Sequence, residues 1–215
     1  MAQNTLSQVA ANIRVSFTQL SVPDFNGDVS NIVYRVLFLN QSSDEYVEVQ
    51  SMCNASATGI LSQSYCDVTM SDLISKLGYL AGEYVMTVAT ASNGKGTSIA
   101  SNPNSQTVQV QTSPTVSPSN ILAQSLSSTS LNISWSELTG DQNTGYSAIQ
   151  GYYIYHNGGS GTIFSHKITT NTYLGSTLSG LTQSTTYLLK ISAYNIQGEG
   201  PLSSVLSVIA AFTPG

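Results

Sequence analysis

Charge is the scarcest property of this sequence. Only 8% of its 215 residues are Asp, Glu, Lys or Arg, where about 25% is usual. Six basic residues (Arg14, Arg35, Lys76, Lys95, Lys167 and Lys190) lie scattered among eleven acidic ones, for a net charge of −5. No basic stripe exists to follow phosphates or to hold an anionic bilayer, which argues against nucleic acid and membrane surfaces as partners. No run of about 18 apolar residues occurs, so no segment reads as a spanning helix. Met1-Ala2-Gln3-Asn4 has neither the basic start nor the apolar core of a secretory leader. If the protein is secreted, its leader is expected to lie outside this chain or to have been removed.

Histidine is nearly as rare. His156 and His166 are the only two, and catalysis needs a nucleophile, a base and a group that orients them. With Ser165 and either Glu137 or Asp141 a triad can be sketched, but no nucleophile elbow supports it. The two histidines read as surface residues of neighbouring strands. Cys and His pairs at zinc-finger spacing are missing. Asp24-Phe25-Asn26-Gly27-Asp28 starts like a calcium loop, yet its glycine comes two places early and Arg35 stands where a bidentate Glu belongs. It reads as a plain loop. Gly158-Gly159-Ser160-Gly161 is followed by no helix that would present amides to a phosphate, and reads as a hairpin turn. The tripeptide Arg-Gly-Asp does not occur. The expectation is a chain without catalytic residues, metal or cofactor.

What the sequence does have is apolar residues, 40% of the chain, together with Ser, Thr, Asn and Gln at about 40%. The apolar residues alternate, which excludes disorder. A polar, weakly charged surface suits an extracellular and glycosylated protein. Asn40-Gln41-Ser42, Asn54-Ala55-Ser56 and Asn132-Ile133-Ser134 match the glycosylation sequon. Cys53 and Cys66 would form a bridge in an oxidising compartment, or remain two buried thiols in the cytosol.

A boundary stands at Thr112-Ser113-Pro114-Thr115-Val116-Ser117-Pro118-Ser119. Two prolines four apart disfavour helix and ladder, so 113–118 reads as a linker between a domain over 1–112 and another over 119–215. The latter shows seven short strands: 121–126, 130–135, 148–156, 162–170, 172–178, 186–195 and 204–212. Regular spacing with Gly, Asn and Ser turns indicates an all-β sandwich. Alternation turns Ile133, Trp135, Tyr152, Ile154, Tyr187, Leu189, Ile191 and Ala193 inward. It turns Tyr153, Tyr155, Leu188 and Tyr194 outward on adjacent strands, near Phe164 or His166. An outward aromatic patch marks a candidate protein interface.

Leu131-Asn132-Ile133-Ser134-Trp135, Ile149-Gln150-Gly151-Tyr152-Tyr153-Ile154, and Tyr187 to Asn195 followed by Gly198-Glu199-Gly200-Pro201-Leu202-Ser203 together resemble a fibronectin type III domain. Leu181-x-x-x-Thr185-x-Tyr187 resembles that family's tyrosine corner, which implies a phenol pinning the preceding loop. The first half is similar but diverged. Ile13 to Phe17 parallels Leu131 to Trp135, with Phe17 in the tryptophan position. Tyr34 to Phe38 parallels Tyr152 to His156, and Glu83 to Ala89 parallels the Tyr187 strand. On its outward face this half would offer Leu37, Leu39 and Val85.

The resemblance implies an all-β pair of immunoglobulin-like, fibronectin type III sandwiches that space and adhere without chemistry. Two departures stand out. Only about a dozen residues precede Ile13, so the opening strand is expected to be incomplete or swapped between copies. The segment from Cys53 to Leu80 is an insert, with a helical turn capped by Ser71. The end, Ala211-Phe212-Thr213-Pro214-Gly215, looks like a strand entering another linker. The expected role is a non-catalytic extracellular or cell-surface unit that self-associates into a filament or matrix. A passive spacer of a secreted enzyme and a ligand-binding receptor fragment are the alternatives. The expected partners are protein and N-linked glycans.

Overall fold

A computed structural model describes residues 4–21, 32–105 and 107–211, and the chain divides into two compact units, Met1–Gln111 and Thr112–Gly215. The Asp24–Asp28 loop lies outside the described residues.

In the first unit, β1 (Asn4–Val9), β2 (Asn12–Phe17) and β5 (Tyr65–Thr69) form one antiparallel sheet in the order β1-β2-β5. A second sheet has the order β4-β3-β6-β7, from β3 (Val33–Asn40), β4 (Glu45–Glu48), β6 (Thr87–Asn93) and β7 (Gly96–Thr97). Ile13, Val15 and Phe17 of β2 face Tyr34, Val36 and Phe38 of β3 through a shared core, as period-two alternation requires. The opening strand is formed within the chain, where an incomplete or swapped one was expected: Asn4–Val9 pairs with β2 from Asn4 opposite Phe17 to Val9 opposite Asn12. The two-residue connection holds Ala10 at φ 52, which lets the short hairpin close without further residues.

Two helices interrupt this unit, α1 (Thr58–Gln63) and α2 (Met70–Leu77). Helix α2 starts one residue before the expected cap Ser71, because Thr69 supplies the cap, its Oγ1 accepting from Asp72 N at 3.0 Å. Gly78, at φ 75, ends it. Met70, Leu73 and Leu77 bury their side chains in the core, each contributing roughly 1.5–3 kcal/mol.

The second unit repeats the plan. One sheet has the order β12-β9-β8, built from β8 (Leu122–Ser127), β9 (Ser130–Ser134) and β12 (Gly175–Ser179). After a short α3 (Asp141–Thr144), the other sheet contains β10 (Gly151–His156), β11 (His166–Thr169), β13 (Thr186–Asn195), β14 (Gly198–Glu199) and β15 (Leu206–Ile209). Its order is β11-β10-β13-β14, with β15 also on β13. The core gathers Leu131, Ile133 and Trp135 with Tyr152, Ile154, Leu189 and Ile191. The fourth strand begins only at His166, since Gly158, Gly159 and Gly161 all take positive φ and wrap the preceding residues into a loop. The segment 112–115 bonds back to the α3 turn through Thr112 N to Gly145 O and Thr115 N to Asn143 O, both at 2.9 Å.

The two units share one hydrogen-bonding device. In the first, Ser101 N donates to Ala89 O and Ala89 N donates to Ser101 Oγ. In the second, Ser203 N donates to Ile191 O and Ile191 N donates to Ser203 Oγ. The last segment advances three residues for every two of its partner, so carbonyls fall out of register. A serine hydroxyl supplies the missing acceptor and keeps the buried amide satisfied.

Candidate interaction surface

The outward face of the β11-β10-β13 sheet holds a cluster that begins with strand alternation. Tyr153 and Tyr155 project from β10, and Tyr194 from β13 beside Gly151. All three are half-buried. The Tyr153 and Tyr194 rings stack with centroids 4.4 Å apart and planes at 18°. This contact depends on Gly151, where a Cβ would come within 2.8 Å of the Tyr194 hydroxyl and against Thr170 O. Tyr155 meets Tyr153 edge-on at 6.4 Å.

Two charged residues complete the cluster. Lys167 stands opposite Tyr155 on β11. Its Nζ lies 3.5 Å from the Tyr153 centroid, a cation–π contact, and 2.9 Å from Glu199 Oε2. Glu199 also accepts from the Tyr155 hydroxyl at 2.7 Å and from Ser192 Oγ at 2.6 Å. Partial burial alone would raise the Glu199 pKa, but Ser192, Tyr155 and Lys167 together hold it below its ordinary value. Lys167 is correspondingly raised, through Tyr155 first and Glu199 second. Desolvation and the neighbouring carboxylate raise the Tyr155 phenol. The result is a preorganised patch of aromatic rings around one cation and one anion.

The structure thus brings together three of the four expected surface residues. Leu188 shares the face but stands six positions along β13 from Tyr194, about 20 Å away. Phe164 adjoins the face, with Lys190 Nζ 5.0 Å from its ring. His166 does not, because it lies on the other face, stacked on His156 at 4.5 Å. Lys167 and Glu199 escaped sequence reasoning. Alternation placed Lys167 on the tyrosine side, but only the pairing of Tyr194 with Glu199 brings the carboxylate across.

The remaining candidates fall elsewhere. Ser165 Oγ lies 3.0 Å from His166 Nδ1. Glu137 and Asp141 instead line a cleft of about 390 Å³ with Tyr146, Tyr152 and Thr172, and neither histidine reaches it. His156 is buried and its Nδ1 accepts from Gly158 N at 3.2 Å. Burial first, and His166 second, keep its pKa below the ordinary histidine value. In the first unit Leu37 and Leu39 are half-buried on the outward face. Val85 is not outward. It is fully buried in the core, since Val36 pairs with Ala89 and sets the opposite parity along β6 and the residues before it.

Cys53 and Cys66 are bonded to each other, with Cα atoms 5.6 Å apart, inside the core of the first unit. Of the sequon residues, Asn54 and Asn132 are exposed and Asn40 is half-buried in a turn where its Oδ1 accepts from Ser42 N. Among the described residues no helix is long and apolar enough to cross a membrane, and no group of three metal-ligating side chains converges.

Residues 116–209 match the family model described as "Fibronectin type III domain". The second unit is a fibronectin type III domain. The chain is similar to human contactin-3, 34% identical over 103 residues that make up 47% of this chain and 10% of the relative. It is also similar to chicken sidekick-1, 36% identical over 110 residues, 49% of this chain and 5% of the relative. It spans about a tenth or less of these relatives. Among solved structures, the chicken CNTN1 FN1-FN3 domains match 97% of this chain and 65% of their own at 19% identity, with a TM-score of 0.45. A chain that carries a bridged cysteine pair beside a fibronectin type III domain belongs to an oxidising setting, extracellular or at the cell surface.

Proposed function

We propose that the chain is a non-catalytic adhesive module that binds a second copy of itself through the Tyr153–Tyr155–Lys167–Tyr194–Glu199 face, as a subunit of a larger structural assembly. The observation that carries this is the composition of the cluster. Rigid tyrosine edges, enriched in interfaces, surround one positive and one negative side chain. A patch with both signs is complementary to itself when related by a two-fold axis, because Lys167 of one copy then faces Glu199 of the next. Low overall charge leaves little long-range repulsion to oppose close approach.

A charge-swap experiment tests this reading. Lys167→Glu and Glu199→Lys should each weaken self-association at least tenfold, and an equimolar mixture of the two variants should recover it. Variants that self-associate as strongly as the parent would count against this face joining two copies and leave it to a different protein partner.

A further inference from the structure

We propose that Asn132 carries an N-linked glycan that covers the outer face of the β8-β9-β12 sheet. The inference rests on the extracellular setting and is independent of the tyrosine face, which belongs to the other sheet of the same unit.

Asn132 sits on the central strand of its sheet. Leu131 and Ile133 on either side of it are fully buried in the core, so alternation throws Asn132 straight outward. Its cross-strand neighbours are Gln124 on β8 and Thr177 on β12, and Ser134, which completes the sequon, pairs with Leu122 and Gly175. The site therefore has only Gln124 and Thr177 directly opposite it.

The surrounding face is unusual for one left in water. None of the residues in β8, β9 and β12 is charged. Leu122 and Leu126 are 61% and 66% exposed. Strand β12 ends the sheet without the lysine or proline that normally blunts an edge. An uncharged sheet with exposed leucines and an edge strand lacking lysine or proline invites pairing with another chain unless something covers it. An N-linked glycan is bulky and solubilising, and from the central strand it reaches both the leucines and the free edge. Nothing comparable surrounds the other two sequons. Ser56 of the Asn54 sequon both accepts from Tyr34 N and donates to Tyr34 O at 2.9 Å, and Ala55 is fully buried. Asn40 is folded into its own turn.

The test uses the full chain isolated from the cells that make it. The peptide containing Asn132 is read by mass spectrometry before and after enzymatic removal of N-glycans in heavy-oxygen water. The expected result is that most of this peptide appears only after release, as labelled aspartate. Asn132→Gln and Ser134→Ala should each remove the same single glycan, so a folding defect in one variant does not decide the matter. Asn132 at its unmodified mass, with Cys53 and Cys66 still bridged, overturns the proposal alone. Bare Asn132 together with free thiols at both cysteines overturns it and the extracellular setting with it. Bare Asn132 with copies cross-linked through Leu122 or Leu126 gives the face to a second copy and also overturns it.

Discussion

Tyrosine does different jobs in this chain, and position alone decides which. Tyr187 is buried and its hydroxyl accepts from Thr182 N at 2.9 Å, pinning the loop before β13 as the family's tyrosine corner implies. In the first unit the same service comes from Tyr79, fully buried, whose hydroxyl accepts from Met86 N at 3.2 Å. Tyr84, which the alignment of the two halves places opposite Tyr187, is 40% exposed instead. Parity along β6 is shifted by one relative to that alignment, and Val85 takes the inward position. Tyr79→Phe should therefore leave the half-buried Met86 amide without its acceptor and destabilise the first unit by about 1 kcal/mol. Tyr84→Phe should stay within about 0.5 kcal/mol of the parent. Equilibrium denaturation of both variants, followed by circular dichroism, checks the assignment. Equal effects would contradict it.

At the scale of elements, the strands of the second unit other than the fourth were legible because alternation and turn residues agreed. Ile133 and Trp135 face inward where the pattern put them, and β13 has the bounds the pattern gave. The places that were not legible are those where side chains substitute for the ladder. Ser98, Ser101 and Asn104 bond the amides of Ala91, Ala89 and Thr87, and no periodicity announces a strand built on three-for-two spacing. Helix α1 was equally silent, as it buries no residue fully and lacks a side-chain cap.

The Cys53–Cys66 bridge joins the segment after β4 to β5, closing a loop of separation 13. Its reduction should cost the first unit about 3 kcal/mol and leave the second unchanged, because the two cores share no residue. Trp135, the single tryptophan, lies in the second core. Its fluorescence should therefore unfold at the same denaturant concentration with and without reductant, while the tyrosine and far-ultraviolet signals of the first unit shift downward. A matching shift in tryptophan fluorescence would mean that the units unfold together.

On the scale of the whole molecule, what matters is how charge is distributed across surfaces rather than how much there is. One sheet of the fibronectin type III domain gathers Lys167, Lys190 and Glu199 among aromatic rings, whereas the other has no charge in its strands. The tyrosines of the first sheet were legible from alternation. Their ion pair was not, because it depends on a hairpin register that brings residue 199 across residue 194. The two faces suit different coverings, protein on the first and carbohydrate on the second. The most direct measurement is the solution mass of the full chain across a concentration series, beside a Tyr153→Ser/Tyr155→Ser variant. Growth of the native chain into dimers or larger assemblies, lost in the variant while its fold is retained, is the outcome expected for a self-adhesive module. A native chain that remains monomeric at every concentration would contradict it.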